Sequence, residues 1–181
     1  MTSRWPSLPI AVCALVAGCA STPSDKHPAL ALAPHVDLPR FMGDWYVIAN
    51  IPTFLEKGAH NAKDHYELAA DGTIPTTFSF NADAPDGPVK QYGSRGFVLD
   101  TASNAVWGQQ YVWPIKADYR IAYLSDDYRL AVIAREKRDH VWIMARTPAI
   151  PQADYDRLVA FVQAQGYDPA LLQRVPQDAR R

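Results

Sequence analysis

The sequence predicts an all-β domain, an antiparallel barrel or sandwich of eight short strands, with one α-helix after the last strand. Three observations carry this. From Trp45 onward, short runs of β-branched and aromatic residues recur. The links between them are of hairpin length and contain residues that tolerate turn geometry: Asp71-Gly72, Asp86-Gly87, Ser103-Asn104, Ser125-Asp126-Asp127 and Lys137-Arg138-Asp139. Beyond Pro151 the apolar spacing lengthens to a helical one. At 181 residues the chain is long enough for one domain with a sizeable core.

The chain opens with a secretory signal over residues 1–18. Arg4 is its one charge, the run from Leu8 to Ala17 is mostly apolar, and small residues follow. That run is too short to remain as a membrane-spanning helix. It ends in Leu15-Val16-Ala17-Gly18-Cys19, which resembles the lipobox of bacterial lipoproteins. The resemblance implies acylation of Cys19 and cleavage before it; an ordinary signal peptide with an incidental cysteine is the alternative. Ala20 and Ser21 follow, and by the same resemblance the lack of an early Asp implies delivery to the outer membrane, with the domain in the periplasm. Residues 19–35, rich in Ala, Pro, Ser and Thr without periodicity, are expected to be a flexible tether. The folded domain is expected over 36–176 and a tail over 177–181. Its stability must come from its core, because Cys13 and Cys19 are the only cysteines.

Strands are expected at 45–51, 62–68, 73–81, 91–100, 105–112, 118–124, 130–135 and 140–146. The eighth is apolar on both faces, Trp142 and Met144 alternating with Val141, Ile143 and Ala145, so both faces must be covered. A helix over 152–165 supplies one cover. Its stripe is Tyr155, Leu158, Val159 and Val162, and Gly166 stands where a C′ glycine would end it.

Three blocks in this domain resemble the signature regions of the lipocalin family, in the family's order. They are Arg40-Phe41-Met42-Gly43-Asp44-Trp45-Tyr46, Asp118-Tyr119-Arg120-Ile121-Ala122-Tyr123 through Tyr128, and Val141 to Pro148 with Arg146 at the strand end. The domain is most similar to the bacterial lipocalin lipoproteins, which are apolipoprotein D-like. That resemblance implies an eight-stranded up-and-down antiparallel β-barrel with the C-terminal α-helix packed on the outside. It also implies a structural signature of Gly43, Trp45, Asp118, Tyr119 and Arg146. Physically, Gly43 lets the backbone turn into the barrel, Trp45 fills one end, and Arg146 can lie over the indole. The chain departs from animal members in lacking disulfides. Gly108, inside the fifth strand, is expected to mark a bulge or bend.

The charge balance, 18 Lys and Arg against 19 Asp and Glu, offers no basic stripe for nucleic acid. Gly93-Ser94-Arg95-Gly96 is one residue short of a nucleophile elbow and reads as a strand bend. His27, His35, His60, His65 and His140 have no zinc-ligand spacing, and Asp126 and Asp127 sit in a turn. No phosphate loop or dinucleotide fingerprint is present. The expectation is therefore a binding protein with no catalytic residue, metal or cofactor. Period-2 alternation proposes the cavity wall: Phe78 and Phe80, Trp107 and Tyr111, Tyr119 and Tyr123. The family resemblance implies a small hydrophobic ligand there, typically a fatty acid such as palmitate or a lysophospholipid. Arg95, His60, His65 and Lys116 are the candidates to meet its headgroup. A lipocalin-fold enzyme and a structural envelope lipoprotein with a filled barrel are the rival readings. Monomer and homodimer both remain open.

Overall fold

The computed structural model describes residues 27–178; Cys13 and Cys19 lie outside the described residues. A four-residue helix α1 (Leu38–Phe41), N-capped by the Asp37 carboxylate, leads into β1 (Gly43–Ile51). There follow β2 (Ala59–Tyr66), β3 (Ile74–Ala82), β4 (Val89–Val98), β5 (Val106–Val112), β6 (Ile115–Leu124), β7 (Leu130–Ala134) and β8 (Val141–Ala145). Helix α2 (Gln152–Ala164), a 3-10 turn at Pro169–Leu171 and a two-residue β9 (Gln173–Arg174) complete the chain. Each of β1 to β7 pairs antiparallel with the next, and β8 returns to β1, so the sheet closes into an up-and-down barrel. β9 pairs with Ala49 and Asn50, past the Gly43–Tyr46 stretch that pairs with β2.

Alternation places Trp45, Val47, Tyr66, Ile74, Trp107, Ile133 and Met144 in the interior cluster. Ile48, Val132, Val141, Ile143 and Ala145 pack outside beneath Leu158 and Val162 of α2. Strand eight is thus covered on both faces. Two register shifts, between Val47 and Ala49 in β1 and between Ile121 and Tyr123 in β6, move the following side chains to the other face. Gly166 follows the C-cap Gln165 of α2, and its φ of +90° suits glycine.

The two glycine expectations need correction. β4 runs through Gly93-Ser94-Arg95-Gly96 in unbroken register with β3, so there is no bend. Gly96 makes room instead: a Cβ there would lie 3.4 Å from Cε3 of Trp107 and 2.9 Å from Oε1 of Gln109. The irregularity in β5 falls between Gln109 and Val112, beyond Gly108, which accommodates the Lys116 side chain.

The expected tether also differs over its described part. Leu30 and Ala33 are buried, and the Ala33 and Val36 N–H groups donate to the carbonyls of Ile121 (2.8 Å) and Ser103 (2.7 Å). Leu30, Ala33 and Val36 recur every third residue, the period of a polyproline II segment, so an extended strap lays one apolar face on the barrel. Gln177 in the expected tail is fixed as well, donating to the carbonyls of Val47 and Ala62.

Candidate ligand cavity

One end of the barrel is sealed by side chains from α1 and the strands it meets. Phe41 packs against Trp45, Tyr66 and Trp107 with ring centroids 4.9, 5.5 and 5.5 Å apart. The Trp45 indole N–H donates to the Phe41 carbonyl at 2.7 Å. Arg146 lies over the Trp45 ring at 4.0 Å and donates to the carbonyls of Asp44, Arg40 and Phe41 at 2.8, 2.8 and 2.9 Å. Gly43, at φ +91°, brings the backbone within 3.5 Å of that guanidinium, measured from where a Cβ would be. Asp118 accepts from Arg120 Nε at 2.9 Å and from the Glu136 N–H at 2.7 Å. Tyr119 meets Tyr66 hydroxyl to hydroxyl at 2.8 Å and stacks on Trp107 at 5.2 Å.

Above this plug the barrel holds a cavity of about 370 Å³, within the range of small-molecule sites, about 300–1,000 Å³. Its apolar wall is Phe78, Tyr92, Ile133, Trp142 and Met144; Tyr66 and Tyr119 also line it, and Phe54 and Leu55 stand in the β1–β2 loop at its opening. Besides the tyrosine hydroxyls, the polar side chains on the wall are Thr53, Glu56, Asp64, Thr76, Gln109, Asp118 and Arg135. Glu56 folds in from that loop, accepting from the Trp142 indole N–H at 2.6 Å and the Thr53 N–H at 2.7 Å. Asp64 shares an inward face of β2 with Ala62 and Tyr66, and what accessible surface it keeps fronts the cavity. Burial raises its carboxyl to about 8, the nearby Glu56 charge pushes the same way, and hydrogen bonding with Tyr66 opposes both. Asp64 is therefore mostly protonated and uncharged at neutral pH.

Arg135, the cationic residue of the lining, pairs with Asp139 at 3.4 Å while its buried Nε has no hydrogen-bond partner. Among the described residues no group of His, Cys, Asp and Glu could hold a metal.

Of the six expected wall residues the structure places Phe78, Tyr111 and Tyr119 on this cavity. Phe80 is buried against Phe78 and Tyr92, at 5.3 and 6.2 Å, and is not part of the wall. Trp107 faces inward but sits in the sealed end behind Tyr119, because alternation sets the face of a residue and not its depth along the axis. Tyr123 points outward onto Phe161 of α2, its hydroxyl accepting from Arg157 at 2.7 Å, because the shift after Ile121 reverses its face.

None of the four expected headgroup candidates lines the cavity. Lys116 lies over the Phe97 ring, Arg95 pairs with Asp71, and His65 pairs with Asp44 on the exterior. His60 is also absent from the wall, its buried Nδ1 unpartnered. The residues missed by alternation are Glu56, in a loop, and Arg135, one residue past a strand end. Asp64 could have been found from its alternation with Tyr66.

Comparison with known proteins agrees with this architecture. A family model described as a lipocalin-like domain matches residues 36–177. Temperature-induced lipocalin-1 of Arabidopsis thaliana is 29% identical over 157 residues, 78% of this chain and 80% of that protein. Outer membrane lipoprotein Blc of Escherichia coli K12 is 25% identical over 155 residues, 85% of each chain. Among solved structures, insecticyanin of the tobacco hornworm Manduca sexta superposes with a TM-score of 0.65 at 12% identity, covering 84% of this chain and 87% of that one.

Proposed function

Because the chain belongs to the lipocalin-like family, we propose that its cavity holds the acyl chain of a fatty acid or lysophospholipid, and that a lipid on Cys19 tethers the barrel to the outer membrane. The observation that carries the first half is a mostly apolar cavity closed at one end, with Arg135 and its unpartnered Nε on the wall. An acyl tail is accommodated beside Phe78, Tyr92, Ile133 and Met144, and an anionic headgroup pairs with Arg135. The uncharged state of Asp64 at neutral pH removes one charge that would oppose such a tail. The second half rests on the Leu15–Cys19 sequence and on the printed name of the Escherichia coli relative, an outer membrane lipoprotein. The function is binding without turnover.

Burying about ten methylenes at roughly 0.8 kcal/mol each yields about 8 kcal/mol, a micromolar constant when headgroup contacts offset ordering costs. The test is titration of the delipidated full chain with palmitate and with a lysophosphatidylcholine, followed by tryptophan fluorescence. Trp142, which lines the cavity, is the expected reporter, so Trp142→Phe should remove most of the signal while calorimetry still reads binding. Ala117→Phe, which adds a ring to the wall, should weaken both ligands. No saturable binding by a folded chain would leave a filled structural barrel as the reading.

A further inference from the structure

The described chain enters the barrel from the cavity end. Its strap is pinned at Pro28, whose carbonyl accepts from Arg138 at 2.6 Å, and Arg138 lies in the β7–β8 hairpin. That hairpin stands at the same end as the β1–β2 loop, since His140 meets the Ile51 carbonyl at 3.2 Å and Arg135 lines the cavity with Phe54. From there the strap runs to Val36 and Asp37 at the sealed end, where the Asp37 N–H donates to the Tyr128 hydroxyl at 2.8 Å. His27, the first described residue, therefore stands near the cavity mouth. Seven residues lie between Cys19 and His27, eight Cα-to-Cα steps, a reach of at most about 28 Å.

The same end carries an apolar rim. Phe54 and Leu55 of the β1–β2 loop are 82% and 38% exposed; Val112, Trp113 and Ile115 of the β5–β6 hairpin are 68%, 82% and 70% exposed. At the sealed end the described residues expose Leu68 and Leu99. A phenylalanine and a tryptophan on hairpin tips at opposite sides of the mouth suit the headgroup region of a bilayer, where amphipathic rings are favoured. We propose that the barrel docks mouth-down on the bilayer that holds its anchor, with the β1–β2 and β5–β6 tips in the headgroup layer, so that acyl chains pass between membrane and cavity without crossing water.

This orientation rests on the Cys19 anchor proposed above. The occupant is a lipid surface because the strap delivers the anchor to this end of the barrel and because the rim surrounds an apolar cavity. Lys57, Lys90, Lys116, Lys137, Arg135 and Arg138 share this end with Glu56, Asp83, Asp86, Glu136 and Asp139, so the charges nearly cancel. Docking is accordingly apolar and should need no anionic lipid.

The full chain, isolated from membranes and reconstituted in phosphatidylcholine vesicles, can be labelled with an environment-sensitive fluorophore at Ile115→Cys or, as the opposite end, at Leu68→Cys. Neither residue lines the cavity. The expected result is a blue-shifted, lipid-quencher-accessible label at 115 and a water-exposed one at 68, unchanged when anionic lipid is added. A membrane-bound chain with both labels in water, or with 68 in lipid, overturns the orientation and leaves the anchor intact. A chain recovered in the soluble fraction overturns the anchor. The rim is then judged with the Cys19→Ala chain added to the same vesicles. There Trp113→Glu with Ile115→Glu should cut partition about tenfold or more, about 1.4 kcal/mol, and equal partition of variant and parent refutes the rim. A label at 115 already buried without vesicles, in a species of dimer mass, would assign the rim to a second copy and refute the proposal.

Discussion

Replacing Asp64 by Asn should stabilise the folded protein, and by an amount that grows with pH. The carboxyl titrates near 3.8 when exposed and is raised to about 8 in the barrel. Below both values the folded and unfolded chains each hold the proton, and the group is neutral to stability. Between them the unfolded chain releases its proton and the folded chain keeps it, so stability falls as pH rises from about 4 to about 8 and then levels. At pH 7 the unfolded chain is about three pH units past its midpoint, an upper bound of about 4 kcal/mol at roughly 1.4 kcal/mol per unit. Water reaching the carboxyl through the cavity reduces this, and about 2–4 kcal/mol is expected. Asn cannot ionise, so it escapes the penalty; any loss in its contact with Tyr66 is a constant offset. Glu56, Arg135, Tyr66, Tyr111 and Tyr119 surround the same cavity and remain in both proteins. The assay is urea unfolding of parent and Asp64→Asn at pH 5, 7 and 9. The stability difference should widen from pH 5 to 7 and again, more gently, to 9. A difference that stays constant over this range would show that Asp64 is ionised and solvated in the folded barrel.

Trp45→Ala should cost about 3–5 kcal/mol as a large-to-small core change. Arg146→Ala takes a donor from the carbonyls of Arg40, Phe41 and Asp44, and a double-mutant cycle in urea should show a coupling of about 0.5–2 kcal/mol from the 4.0 Å ring contact; simple additivity would dissolve that contact. Cys19→Ala should move the protein out of the membrane fraction of cells fed a labelled fatty acid and abolish its label, because stable anchoring needs more than one acyl chain. Retention of the variant in that fraction would assign the anchor elsewhere.

The strands were legible because each is a short run between turn residues, and the seal because Trp45 and Arg146 stand in recognisable blocks. Depth and face were harder. Trp107, Gln109 and Tyr111 alternate on one face of β5, yet the first is sealed in the plug and the last stands at the mouth; periodicity gives no coordinate along the axis. Tyr123 was lost to a single extra residue in β6, and a bulge has no composition of its own in Ile121-Ala122-Tyr123. Asp64 lies in a strand of few apolar residues, Ala59–Tyr66, where only Ala62 and Tyr66 on either side of it mark the inner face. Glu56 and Arg135 reach the cavity from outside the strand cores, and their placement depends on how loops fold over the rim. The strap of Leu30, Ala33 and Val36 has the Pro- and Ala-rich composition of a spacer, and only the three-residue spacing of its apolar side chains distinguishes it.

The seam made by Arg146 also governs when this chain can fold. Its guanidinium ties the eighth strand to the Arg40 carbonyl, 106 residues earlier, and β1 has no second neighbour until β8 exists. A ribosome or a translocation pore delivers the N-terminus first, so β1 to β7 emerge as a meander with two unpaired edges and an uncovered apolar interior. Closure comes late and joins distant parts of the chain, a slow class of contact. Throughout that interval apolar surface and strand edges stand open, and an added delay before residue 146 is delivered should raise aggregation without altering the finished protein.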